Sequence, residues 1–478
     1  MTDRFRKMEK KRKRRRFSSL LMQSTFFIVL AATFEGSFSA ASQRCTLKKS
    51  TQHSCFGSSL VLPVFGNVYP LGYYSVSLYI GNPPKLFELD IDTGSDLTWV
   101  QCDAPCTGCT KPLHHLYKPR NNLLSCIDPL CSAVQNSGTY QCQSATDQCD
   151  YEIQYADEGS SLGVLVTDYF PLRLMNGSFL RPKMTFGLKE SDLHQSCGYD
   201  QKSPGPVAPP PTTGVLGLGN GKTSIISQLQ ALGVMGNVIG HCLSRKGGGF
   251  LFFGQDPVPS FGISWAPMSQ KSLDKYYASG PAELLYGGKP TGTKAEEFIF
   301  DSGSSYTYFN AQVYQSTLNL IRKELSGKPL RDAPEEKALA ICWKGTKRFK
   351  SVNEVKSYFK PFALSFTKAK SVQLQIPPED YLIVTNDGNV CLGILNGSEV
   401  GLGNFNVIGD NLFQDKLVIY DSDKHQIGWI PANCDRLPNL DRYYNEGYCQ
   451  PYEPGYGFTE KQCQVQQGDK HRERCSKE

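Results

Sequence analysis

Two short stretches of this chain each place a carboxylate at the end of an apolar strand. Phe87-Glu88-Leu89-Asp90-Ile91 runs into Asp92-Thr93-Gly94-Ser95, and Phe298-Ile299-Phe300 runs into Asp301-Ser302-Gly303-Ser304. The runs read as strands, and each Asp-Thr/Ser-Gly-Ser as a turn with one side chain at its tip. One such turn is ordinary, because these are common turn residues. Two of them, each behind its own strand and about two hundred residues apart, suggest two related lobes whose tips can face each other. Asp92 and Asp301 could not then both ionise cheaply, and the pair would hold one proton between them. The ionised member would take a proton from a bound water attacking a peptide carbonyl. The protonated member would polarise the carbonyl oxygen and help protonate the leaving nitrogen. Gly94 and Gly303 let backbone amides approach, while Thr93, Ser95, Ser302 and Ser304 offer hydroxyls that orient the carboxylates.

The surrounding elements follow the same logic. Tyr74–Ile80 alternates, Gly81-Asn82-Pro83-Pro84 turns, and the first Asp strand completes a hairpin leading into the site. Residues 151–168 read as a second hairpin with Asp157-Glu158-Gly159-Ser160-Ser161 at its tip and Tyr155 just before it, placed to fold over a cleft. Val215-Leu216-Gly217 and Val407-Ile408-Gly409 are matching turn strands, one in each half. Helices are expected over Ser224–Leu232, capped by Ser224, and over Ala311–Leu325. Gly221-Lys222-Thr223 imitates a phosphate loop, but Leu216 stands where its first glycine belongs, so nucleotide binding is excluded. Leu417–Asp421 and Gln426–Ile430 make a last hairpin.

The chain has 478 residues and a formal charge of +6. Residues 4–16 alone carry ten Lys/Arg and one Glu, a net +9, so the remainder sums to −3. With no basic excess in the folded part, nucleic acid is not an expected partner. The basic run leads into an apolar stretch over 20–34 and small residues up to Ala40. That reads as a secretory signal over 1–40, with a retained signal anchor as the alternative. Membrane association is expected only in the second case. Residues 41–72 read as a short leader or propeptide, 73–255 and 256–434 as the two lobes, and 435–478 as a cysteine-containing extension. Seventeen cysteines in an exported chain imply disulfides. Cys102, Cys106 and Cys109 near His114 and His115 have loose zinc spacing, but an oxidising compartment favours disulfides and no metal is expected. Asn176-Gly177-Ser178 and Asn396-Gly397-Ser398 are glycosylation sequons.

Taken as a set, the two Asp turns, Tyr155, Trp99 and the two apolar-apolar-Gly turns resemble the pepsin-like aspartic proteases from about Tyr73 to Cys434. The cysteine-rich insertion resembles the nepenthesin type of plant enzymes. Pro63–Pro70 and Gln101-Cys102-Asp103-Ala104-Pro105-Cys106 resemble its nucellin-like branch. The resemblance implies an all-β, bilobal fold with few short helices and the cleft between the lobes. It implies a catalytic pair of Asp92 and Asp301, Tyr155 as the flap tyrosine, and Trp99 as its hydrogen-bond partner. The shared proton is established behaviour of such pairs and is carried over with the family. Also implied are disulfides Cys102–Cys106, Cys109–Cys197, Cys126–Cys149, Cys131–Cys142, Cys242–Cys434 and Cys342–Cys391, leaving Cys45, Cys55, Cys449, Cys463 and Cys475 outside the shared set. The chain departs from the family in lacking a long propeptide and in reading Asp157-Glu158 where many relatives have Asp-Gly. The expected activity is an acid endopeptidase acting on polypeptides, monomeric and without a cofactor, in the cell wall, extracellular space or vacuole. The rival is a non-catalytic binding or inhibitor protein on the same scaffold.

Overall fold

The computed structural model describes residues 59–102, 116–120, 122–135, 142–155, 160–189, 212–269, 275–369 and 372–436. The first strands are β1 (Leu60–Asn67), β2 (Tyr73–Ile80), β3 (Lys85–Asp92), β4 (Trp99–Gln101), β5 (Asp150–Gln154) and β6 (Ser160–Tyr169). In β3 the period-two pattern sends Phe87, Leu89 and Ile91, all fully buried, into the core. Glu88, Asp90 and Asp92 fall on the opposite face.

These strands belong to a sheet of thirteen. From one edge it runs through Ser264–Pro267, Gln426–Pro431, Lys416–Asp421, Val238–Leu243 and Gly249–Phe253 into β1, β2 and β3. It continues through Gly214–Gly217, β4, Lys183–Lys189 and β6 to β5. Strands from both halves of the chain therefore share one sheet, and the disulfide Cys242–Cys434 ties them across it. Three four-stranded sheets build the rest of the second half. The result is the mainly-β, bilobal fold expected from the sequence.

One expectation fails here. Leu60–Asn67 is a strand paired with Gly249–Phe253 on one side and β2 on the other, so the leader assigned to 41–72 does not extend over it. Its pairing with residues nearly two hundred positions away gives no local signal, and Leu60 and Val64 are buried as core residues are.

The same crossing recurs around each Asp turn. Gly214–Gly217 pairs parallel with β3, Gly217 opposite Asp92, and antiparallel with β4. Asn406–Ile408 pairs parallel with Phe298–Phe300 and antiparallel with Thr307–Phe309. Each Asp turn thus leaves one strand and is bracketed by a second that returns beside it. The helix Ala311–Leu325 follows the second turn, with Asn310 accepting the Val313 N–H as its cap. Ser224 caps the helix Ile225–Ala231 in the same way. Among the described residues no helix is long and apolar enough to cross a membrane. The signal, the extension beyond Arg436 and the five outlying cysteines lie outside the described residues.

Candidate active site

The two Asp turns meet, and each is bonded to the other as well as to its own aspartate. Within the first, Gly94 N–H donates to Asp92 Oδ1 at 2.8 Å and Ser95 Oγ to Oδ2 at 2.5 Å. Within the second, Gly303 N–H donates to Asp301 Oδ1 at 2.8 Å and Ser304 Oγ to Oδ2 at 2.9 Å. Between them, Thr93 N–H donates to Ser302 Oγ (3.1 Å) and Ser302 N–H to Thr93 Oγ1 (2.9 Å). Each hydroxyl then donates onward across the pair, Thr93 to the Phe300 carbonyl (2.9 Å) and Ser302 to the Ile91 carbonyl (3.1 Å). Four hydrogen bonds thus lock the two strand ends together, while the amide and hydroxyl within each turn fix its own carboxylate.

Glycine is required at both turns by close approach. A Cβ on Gly94 would lie 2.5 Å from Asp301 Oδ1, and one on Gly303 would lie 2.5 Å from Asp92 Oδ1. Each glycine therefore sits over the opposite carboxylate. Burial raises the Asp92 carboxyl to about 8, with the Asp301 charge adding to it and the Ser95 and Gly94 bonds opposing it. Burial raises Asp301 as well, against its bonds from Gly303 and Ser304. Two desolvated carboxylates in contact favour a form that keeps a proton.

Behind this pair lie groups that motif reading does not single out. Tyr420 is fully buried, and its hydroxyl lies 3.0 Å from His241 Nε2. Phe300 stacks on Phe413 and Trp429 beneath the second turn, with ring centroids 5.9 and 6.4 Å away. Asp410 is buried, its carboxyl raised by desolvation and then by Asp301, Asp92 and Asp90, and its Oδ1 has no partner. The Asp90-x-Asp92 spacing was the available signal for one further acid. Asp410 and Tyr420 had none beyond adjacency to an apolar turn and a strand.

Trp99 and Tyr155 are brought together: Trp99 Nε1–H donates to Tyr155 Oη at 2.6 Å, with Tyr155 just beyond β5. The tip with Asp157 and Glu158 lies outside the described residues. Gly221 N–H, in the imitation phosphate loop, is committed to Asp96 Oδ1 at 2.7 Å.

The disulfides differ from the implied set in one place. Cys126 bonds Cys142 and Cys131 bonds Cys149, in place of Cys126–Cys149 and Cys131–Cys142. Burial explains the exchange. Cys131, on the short helix Pro129–Gln135, and Cys149 are both fully buried in one cluster with Tyr151 and Leu165, while Cys126 and Cys142 lie at its edge. Cys242–Cys434 and Cys342–Cys391 are paired. Cys102 is disulfide-bonded, whereas Cys106, Cys109, Cys197, His114 and His115 lie outside the described residues. Asn176 is exposed on a turn, its Oδ1 accepting from Ser178. Asn396 is half-buried, and its Nδ2 donates to Glu399.

Two family models match the chain: Xylanase inhibitor N-terminal over residues 74–255 and Xylanase inhibitor C-terminal over residues 286–430. The chain is 43% identical over 395 residues to a protein of Oryza sativa subsp. japonica named an aspartic proteinase, covering 80% of this chain and 93% of that one. It is 30% identical over 415 residues to aspartic proteinase 39 of Arabidopsis thaliana, covering 80% and 79%. Basic 7S globulin from soybean superposes with a TM-score of 0.60 at 17% identity, over 79% of this chain and 96% of that one. Conglutin gamma from lupine seeds gives 0.59 at 18%, over 81% and 97%. At those identities the likeness is one of fold.

Proposed function

Since the chain belongs to the pepsin-like aspartic protease family, we propose that it is an endopeptidase whose catalytic residues are Asp92 and Asp301. The observation that carries this reading is the reciprocal lock of Thr93 and Ser302. It brings together two carboxylates, each with an amide donor on Oδ1 and a hydroxyl donor on Oδ2. A water between them gives its proton to the ionised carboxylate as its oxygen attacks the peptide carbonyl. The other carboxyl donates to the carbonyl oxygen, and the captured proton passes to the leaving nitrogen. No covalent intermediate forms on the chain. Tyr155, held by Trp99, closes over the bound peptide and excludes water. Polypeptides are the substrates, and the acid secretory compartments, wall or vacuole, are where a singly protonated pair would be most populated.

The rival reading takes support from the family models, whose descriptions name an inhibitor. It is a binding protein on this scaffold, without turnover. Both Asp turns are complete here, with every donor in place, which favours the enzyme. Asp92→Asn and Asp301→Asn decide between them: each should lower peptide turnover at acid pH by roughly 10²–10⁴-fold or more while leaving the folded protein intact. Turnover absent from the wild-type protein would favour the binder.

A further inference from the structure

The turn that joins β2 to β3, Gly81-Asn82-Pro83-Pro84, collects positive charge. Lys85, Lys118 and Arg120 line one small hollow beside it, with Asp168 among them. Arg120 Nη1–H donates to the Asn82 carbonyl at 2.7 Å, and Arg181 Nη2–H to Asn82 Oδ1 at 3.4 Å. Two guanidinium groups are therefore held on one asparagine, the second lying 5.4 Å above the Tyr169 ring. Lys183 stands opposite Tyr169 in the neighbouring strand, on the same face, and extends the row. Lys85 is half-buried and the other four cations are exposed.

Like charges gathered in this way repel one another unless an opposite charge is set among them. The acid lining the hollow, Asp168, spends both oxygens on neutral donors. Tyr117 Oη donates to Oδ2 at 2.6 Å and the Tyr169 N–H to Oδ1 at 2.8 Å. Among the described residues Lys85, Arg120, Arg181 and Lys183 form no ion pair. The concentration is local, since the charge outside residues 4–16 sums to −3. Each guanidinium gives one N–H to Asn82 and keeps the rest of its fork for another acceptor. The hollow encloses about 40 Å³, room for one small anionic group. Arg181 and Lys183 lie outside it, so one small anion cannot serve all five cations and a repeating one can. A bilayer surface is too flat to enter the hollow.

We infer that this face binds a linear polymer of uronic acids, with one carboxylate in the hollow and its neighbours on Arg181 and Lys183. The planar forks match the two oxygens of a carboxylate, and Asn82 already holds them in place, so little side-chain freedom is lost on binding. The choice of a carboxylate polymer rests on the wall placement proposed above. It is independent of the chemistry at Asp92 and Asp301.

The test measures binding of the full chain to immobilised polygalacturonate at about pH 6, where carboxylates, lysine and arginine are all charged. The ten Lys/Arg of residues 4–16 are replaced by glutamine throughout, so that this run cannot hold the polymer. The protein should bind, bind less as salt is added, and fail to bind the fully methyl-esterified polymer, which keeps the backbone and loses the charge. Arg120→Gln with Arg181→Gln should weaken binding about tenfold or more, and Lys347→Gln with Lys350→Gln, the same charge taken from exposed lysines of the second half, less than about twofold. If the arginine pair does not fold, Arg181→Gln alone, which gives up one 3.4 Å bond, should weaken binding more than the lysine pair does. Failure to bind polygalacturonate, equal binding of the esterified polymer, or equal weakening by the arginine and lysine variants overturns the inference. Retention on phosphatidylserine vesicles without binding to polygalacturonate overturns it in favour of a membrane surface. None of these readouts involves peptide hydrolysis, so each outcome leaves the protease reading where it stands.

Discussion

The two halves present the same Asp turn from different surroundings. The first leaves an eight-residue strand, has Asp92 largely buried, and lies in the half that holds the Trp99–Tyr155 pair. The second leaves a three-residue strand, Phe298–Phe300, has Asp301 half-buried, and rests on an aromatic floor of Phe413 and Trp429. Residues within bonding reach of the opposite turn are matched almost atom for atom: hydroxyl for hydroxyl, amide for amide, glycine for glycine. The strands that bracket the turns match too, Gly217 N–H donating to Thr98 Oγ1 and Gly409 N–H to Thr307 Oγ1, and the divergence lies in what packs around them. Symmetry is kept in the bonds that hold the two carboxylates, and given up in the side chains packed around them.

The sharpest way to break the matched part is to add one methyl group. Gly94→Ala and Gly303→Ala should each abolish turnover, because either Cβ would stand 2.5 Å from the opposite carboxylate. Detectable wild-type turnover in either would show that the turns are not packed as described. Next in size is the lock. Thr93→Val and Ser302→Ala should cost similar stability, each leaving a buried N–H and a carbonyl unpaired, about 1–3 kcal/mol per group by denaturant unfolding. A cost confined to one of them would mean the lock is one-sided.

The diverged part is tested by the flap. Tyr155→Ala should lower kcat at least about tenfold beyond any change in KM. Tyr155→Phe, which removes only the acceptor for Trp99 Nε1–H, should lower it less. Unchanged kinetics in Tyr155→Ala would leave Tyr155 a cross-strand packing residue.

A smaller effect comes from the buried acids. Folding raises Asp90 and Asp92 from 3.8 to about 8 and Asp96 to about 6, chiefly by burial. Carboxyls raised in this way hold protons that the unfolded chain has released. Their contribution to stability is therefore full below about pH 4 and is lost as pH rises through their folded values. His241 acts with the opposite sign, because burial lowers it from 6.5 to about 3 and its contribution is lost as pH falls through that window. Above pH 6.5 only the acids count, so the unfolding midpoint should fall between about pH 6.5 and 8.5, and less steeply in Asp410→Asn. A flat or rising midpoint over that range would contradict the burial of these groups.

What the sequence made legible follows from how local each signal is. The Asp turns, the capped helices and the last hairpin are written within a dozen residues each, and they stand where expected. Pairings across the chain are not written locally. β1 looked like a leader because its partner strand, Gly249–Phe253, is remote. The family resemblance implies Cys126–Cys149 and Cys131–Cys142, whereas the pairs formed are Cys126–Cys142 and Cys131–Cys149, since which cysteine faces the core is not written in the sequence. Thr93 and Ser302 were recognised as orienting their own aspartates, yet their hydroxyls serve the opposite turn. Asp90, Asp410 and Tyr420 escaped altogether, since an acid or a tyrosine in an apolar strand declares a role only once its neighbours are known.

The central claim is that Asp92 and Asp301 work as one unit sharing one proton. The most direct measurement is the pH dependence of kcat/KM for peptide hydrolysis by the wild-type protein, repeated for Asp92→Asn and Asp301→Asn. The account predicts a bell with two apparent pKa values belonging to the pair, an optimum on the acid side of neutrality, and no measurable hydrolysis by either variant. An optimum above neutrality, or substantial hydrolysis by either asparagine variant, would contradict it.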